Sequence, residues 1–288
     1  MDRLRHRAAR LPLIVAIALI GAMLAACGRS SSSAGDGSPT SAAGATAPAG
    51  LSGSITVYAA SSLTDVFYRE AAAFRQAHPG TRVNFNFAGS PTLVTQLDQG
   101  APADVLATAD EKNMKTASDK SLVGAVKIFA RNRLVIAVPK SNPGGIQSPK
   151  DLAKAHLNLV LAQQGVPVGD YARQALAKME ADASYGPGFS DAVLKNLVSE
   201  EANVKAVVSK VQLGEADAGI VYKTDVTAAI AKDVETIDLP DEFNVIASYP
   251  IAVTAKAGQP DLAAAFVAFI LSADGQKILT DSGFSGVK

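Results

Sequence analysis

A single cysteine, no tryptophan and an aromatic share of 6% mark what the 288-residue chain has little of. With Cys27 alone no internal disulfide can form, so any core must stand on apolar packing. An excess of one charge is also missing: 27 basic residues face 27 acidic ones, which leaves no electrostatic footprint for a nucleic-acid backbone. Beyond residue 26 no apolar run approaches the ~20 residues that cross a bilayer. There is no P-loop, no dinucleotide fingerprint, no G-x-S-x-G elbow and no internal repeat of fixed period. What is present is a 48% apolar content, ample for one large domain or two modest ones.

The chain opens with Arg3, Arg5, Arg7 and Arg10 and runs through LPLIVAIALIGAMLAA to Cys27. Basic, apolar and small-residue parts in that order describe a signal peptide over residues 1–26, in preference to an uncleaved anchor. Leu24, Ala25, Ala26 and Cys27 resemble the bacterial lipobox, which implies a lipidated cysteine holding the mature chain to the outer face of the cytoplasmic membrane. Cleavage before Cys27 removes four arginines and one aspartate, leaving 23 basic and 26 acidic residues and a formal charge of −3. Residues 27–50 follow as a Ser, Ala, Gly, Pro and Thr linker that cannot bury apolar surface. Such a tether spans on the order of 25 Å.

From Ser54 onward β-branched runs alternate with helical periodicity, which predicts α/β units and a largely parallel sheet. Strands are expected over 55–60, 82–88, 103–109, 133–139, 157–162, 218–222, 234–240 and 248–254, with a last helix from Pro260 to about Ser272. The stretches 126–139 and 244–254 read as two crossings between lobes. That places 51–131 with 248–288 in lobe 1 and 132–247 in lobe 2.

Four helix starts share one chemistry. Ser62 precedes Asp65 by the spacing of a capping box; Ser90 precedes Pro91; Pro167 and Gly169 flank Val168 in a tight turn; Asn203 caps a helix that begins at Val204. Each start offers unpaired N–H groups and a partial charge of about +0.5, so four converging on one point suit a dianion with no Lys or Arg. Taken singly, each is an ordinary helix cap, and spacing alone does not establish convergence.

The segments ITVYAASSLTD, NFAGSPTLVTQLDQGAPADVLATAD, VPVGDYAR, NVKAVVSKVQLGEADAGIVYKTD and YPIAVT, in that order from Ser54 to the C-terminus, resemble the molybdate-binding protein family. These are the extracytoplasmic receptors of molybdate ABC importers. The resemblance implies a two-lobed periplasmic-binding-protein fold of type II, with two mixed, mostly parallel sheets joined by a hinge of two crossing segments. It implies an oxyanion site at Ser62, Ser90, Val168, Val204 and Tyr222: hydroxyl and backbone donors from the serines, backbone donors from the valines, a phenol from the tyrosine. Val168 stands where the family often has alanine. Ser61 stands beside the first serine where alanine is frequent, and is expected to face the strand. The expected cargo is molybdate, with tungstate nearly equal. The expected partners are an ABC importer permease and, through the lipid at Cys27, the membrane. A monomer without cofactor and without enzymatic activity is expected.

Molybdate and tungstate are fully deprotonated near neutral pH, so an all-donor site fits them. Hydrogen phosphate carries an O–H that such a site leaves unpaired, at about 1 to 3 kcal/mol. The same fold with sulfate or phosphate as cargo is the alternative, and an exported serine hydrolase using Ser62 or Ser90 a weaker one. Asp104 and Asp110 read as turn and cap residues and not as a metal pair; His78 and His156 lack zinc-ligand spacing. Arg131 and Arg133 read as structural ion-pair residues of the crossing strand.

Overall fold

The structure, a computed structural model, describes residues 50–287; the expected signal peptide over 1–26, the expected lipidation site Cys27 and the expected linker up to residue 49 lie outside that range. Two five-stranded sheets organise it. The first is built from β1 (Ser52–Ala60), β2 (Gly80–Ala88), β3 (Val105–Ala107), β4 (Lys127–Asn132) and β10 (Ala247–Val253), in the order β2-β1-β3-β10-β4. The second is built from β5 (Leu134–Pro139), β6 (Leu159–Ala162), β7 (Leu197–Glu201), β8 (Ala218–Tyr222) and β9 (Val234–Asp238), in the order β7-β6-β8-β5-β9. Each sheet has two parallel and two antiparallel pairings. The strand–helix alternation accounts for the parallel half. The antiparallel half comes from strands that enter or leave by the crossings, β4, β5, β9 and β10, which no helix returns to the same edge.

The stretch 126–139 is not one strand. β4 ends at Asn132 in the first sheet and β5 begins at Leu134 in the second, so the crossing is confined to Arg133. Both crossings are stitched together by Asn244, whose side-chain carbonyl accepts the Leu134 N–H at 3.0 Å while its amide donates to the Leu134 carbonyl at 2.9 Å. Arg133 pairs with Asp241 and donates to the Leu239 carbonyl at 3.3 Å, the structural use expected of it.

Helices cover the sheets because their apolar stripes need burial. In α1 (Thr64–Ala77), Val66, Phe67 and Phe74 are buried at helical spacing, and Phe67 meets Phe129 of β4 at 5.7 Å between ring centroids. α7 (Pro260–Leu271) buries Leu262, Phe266 and Ile270 beside it, and α8 (Ala273–Asp281) closes that layer. The second sheet is covered by α4 (Pro167–Glu180), α5 (Phe189–Leu194) and α6 (Val204–Gln212). α2 (Ser90–Asp98) and α3 (Glu111–Asp119) complete the first lobe. Among the described residues no single helix is long and apolar enough to cross a membrane.

Candidate oxyanion-binding site

Strand ends carry the site. β1, β2, β3, β6, β7 and β8 all end toward one cleft, the side of an open α/β sheet where ligands bind. A small cavity of about 10 Å³ lies there, and Ser62, Ser90, Val168, Val204 and Tyr222 all line it. Each of the five is at most 5% exposed. None of the residues lining the cavity is Lys, Arg, Asp, Glu or His. Ser61, expected to face the strand, also contributes to the lining from the short 3-10 turn Ser61–Leu63.

The serines are held differently from the caps expected of them. Ser62 forms no capping box: α1 starts two residues later with no side-chain cap, and Asp65 points across the cleft to Lys205 Nζ at 2.7 Å. Ser62 Oγ instead accepts from Tyr249 Oη at 3.2 Å. Ser90 is the first residue of α2, with Gly89 at the cap, and its Oγ accepts the Ala109 N–H at 3.1 Å. In both cases a fixed protein donor occupies a lone pair of the hydroxyl oxygen, which leaves the hydroxyl proton free to be donated into the cavity. Tyr249 reaches Ser62 because the β10–β4 register shifts between Tyr249 and Pro250, where proline has no N–H for the ladder.

On the other side, α4 starts with Pro167 and Val168, whose N–H groups or their absence belong to the unpaired first turn. Gly169 is required there: a Cβ would stand 2.3 Å from the Ala162 carbonyl oxygen. Arg173 braces the turn from outside the cavity by donating to the carbonyls of Ala162 and Gly169 at 3.0 and 2.9 Å. Asn203 caps α6 as expected, its carbonyl oxygen accepting the Ala206 N–H at 3.1 Å and leaving Val204 at the open first turn. Tyr222 ends β8 with its ring against Tyr249, 5.8 Å between centroids. Its phenol oxygen is buried and has no hydrogen-bond partner. Burial pushes that phenol well above its ordinary value, with Tyr249 and Tyr171 adding to the effect, so it is a proton donor throughout the neutral range.

The lobes meet around this cavity. A Cβ on Gly89 would stand 2.4 Å from the Ala202 carbonyl oxygen of the opposite lobe, so only glycine permits that approach. Lys112 and Asn113 of α3 reach across to Asp170 and the Gly165 carbonyl at 2.9 and 3.2 Å. Asp110 caps α3 by accepting the Asn113 N–H at 3.0 Å, and Asp104 accepts the N–H groups of Thr56 and Gln259 at 2.7 and 3.0 Å. Among the described residues no group of three or more His, Cys, Asp or Glu is placed to hold a metal ion. Tyr249 is the site residue that sequence reasoning missed; its role depends on a partner 187 positions away, and the only signal was its place in the segment YPIAVT.

A family model described as bacterial extracellular solute-binding protein matches residues 55–285. The molybdate-binding protein ModA of Mycobacterium tuberculosis is 39% identical over 269 residues, covering 93% of this chain and 95% of that one. The ModA protein of Haemophilus influenzae is 31% identical, covering 81% of this chain and 91% of its own length. Among solved structures, the periplasmic molybdate-binding protein of Azotobacter vinelandii superposes with a TM-score of 0.71 at 19% identity, over 81% of this chain and all of that one. The sulfate-binding protein SubI of M. tuberculosis superposes with 0.72 at 19% identity, over 82% of this chain and 87% of its own, and so shares the type II periplasmic-binding fold. The family model and these relatives, which match most of the chain, are all solute-binding proteins: the chain belongs to the molybdate-binding proteins, within the bacterial extracellular solute-binding family.

Proposed function

We propose that this protein is an extracytoplasmic substrate-binding lipoprotein that captures molybdate, and tungstate nearly as well, and delivers it to an ABC importer permease. The observation that carries the reading is a buried, unpartnered phenol at Tyr222 facing a cavity lined by Ser62, Ser90, Val168 and Val204, with no basic or acidic side chain among its lining residues. A dianion without protons is satisfied by donors alone, and helix-start amides and hydroxyls supply them in a dry setting where each is worth more than in water. The lobes that close on it comprise 51–131 with 248–288, and 132–247; a ligand touching both favours the closed form by contacts the open form lacks. Cys27 carries the lipid that keeps the carrier beside its permease, as a monomer.

Titration calorimetry on the Cys27→Ser chain tests the cargo. Molybdate and tungstate are expected to bind tightly, sulfate and phosphate weakly; sulfate binding as tightly as molybdate overturns the assignment. Membrane fractionation tests the anchor: the wild-type protein is expected with the membrane and Cys27→Ser in the soluble fraction.

A further inference from the structure

Three charged side chains follow site residues within one to three positions along the chain. Asp65 stands three residues after Ser62 in the first turn of α1, Lys205 directly after Val204 in the first turn of α6, and Asp225 three residues after Tyr222. Lys205 Nζ lies 2.7 Å from Asp65 Oδ2 and 3.7 Å from Asp225 Oδ1. Asp225 is wholly buried, and its other oxygen accepts the Tyr222 N–H at 3.1 Å. Lys205 and Asp225 share a lobe, whereas Asp65 belongs to the other. The Lys205–Asp65 bond therefore exists only when the lobes are together, while the Lys205–Asp225 contact persists when they part.

The second interlobe pair differs in kind. Lys112–Asp170 has an exposed lysine (73%) and a part-buried carboxylate (19%), whereas Lys205–Asp65 has the reverse (28% and 58%); what sets Lys205 apart is its second contact, to the wholly buried Asp225. Lys205 is also the cation beside two carboxylates, both of which repel a dianion.

We propose that Lys205 is a positioning residue that couples lobe closure to the anion site: by bridging Asp65 and Asp225 it draws the starts of α1 and α6 and the end of β8 onto one centre without touching the ligand itself. The inference rests on the oxyanion reading of that cavity. Without Lys205, Asp225 stays buried with no cation, and the carboxylate that fixes the Tyr222 backbone becomes easier to protonate. The ionisable groups facing Asp225 are Lys205 from α6, Asp65 from α1, Tyr222 from its own strand end and Tyr249 from β10.

The test combines molybdate calorimetry with an interlobe distance in the full chain carrying Cys27→Ser, spin-labelled at exposed Gln99→Cys and Leu213→Cys, one in each lobe. Lys205→Met is expected to raise the molybdate Kd about tenfold and lengthen the label distance with and without molybdate. Lys205→Arg is expected to restore both. Asp65→Asn, at a largely exposed site where folding is safe, is expected to raise Kd about threefold and to add nothing on top of Lys205→Met. Wild-type Kd and wild-type distance in Lys205→Met overturn the proposal, as does full additivity of the two substitutions. If the unsubstituted protein binds neither molybdate nor tungstate, the cargo assignment falls, and an unchanged label distance in ligand-free Lys205→Met still decides against the coupling.

Discussion

On the side of the first sheet the cavity presents two serine hydroxyls, each already accepting from a fixed donor, Tyr249 for Ser62 and the Ala109 amide for Ser90. On the side of the second sheet it presents the first turns of α4 and α6 and a phenol, Tyr222, whose oxygen has nothing to bond. The first half is complete before any ligand arrives. The second half holds back a buried polar group, which costs about 1 to 3 kcal/mol until something accepts from it. On the proposed reading an anion gives the second half the partner it lacks, while the hydroxyls of the first half are already held in position for it.

Substitutions that strip one half at a time break this comparison. Ser90→Ala is expected to have the largest effect, about 3 kcal/mol or a 100-fold rise in Kd. It removes a charge-assisted donor and leaves the buried Ala109 N–H unpaired, so the ligand-free protein also loses stability. Calorimetry and a thermal melt check both parts; a rise under tenfold with an unchanged melt would mean that the seat is not preorganised. Tyr222→Phe is expected to weaken binding by about 1 to 2 kcal/mol and to leave the ligand-free melting temperature unchanged or higher, because it deletes the unpaired oxygen. A lower melting temperature would show that the phenol has a partner in the free protein.

The smallest effect on binding, and the sharpest contrast in titration, concerns the buried carboxyls of the two halves. Glu70, on the helix that follows Ser62, has no hydrogen-bond partner, and burial pushes it up to about 8. Asp225 is also raised by burial, but Lys205 and the Tyr222 N–H hold it to about 6. Both values lie above those of the unfolded chain, so the folded state keeps these protons longer and stability falls as pH rises. For Asp225 the fall runs from about 3.8 to about 6, for Glu70 from about 4.5 to about 8. Glu70→Gln is accordingly expected to flatten the decline in melting temperature between about pH 6 and 8 and to leave molybdate affinity unchanged. A persistent slope over that range would assign it to another group.

The elements that were legible in the sequence are those set by local chemistry. Asn203 and Asp110 cap as their spacing predicts, and the apolar runs of β1, β5, β6 and β8 fall within a residue or two of their observed ends, except for the start of β1. What sequence alone misassigned depends on distant partners. The Ser62–Asp65 capping box fails because Asp65 has a better partner in Lys205, 140 positions on. The strand β7, LVSEE, escapes pattern reading because its alternation is broken by two glutamates that pair with Arg173 and Lys210 on neighbouring helices. The five site residues come from the family resemblance combined with helix-start chemistry; that they line one cavity is a property of the fold.

The close approach of Gly89 to the Ala202 carbonyl has a further consequence. Where two main chains meet with only a hydrogen between them, the width of the closed gap is gauged by backbone, not by a pliable side chain. A methyl at position 89 would hold the two lobes apart at this point, whatever the side chains around it did.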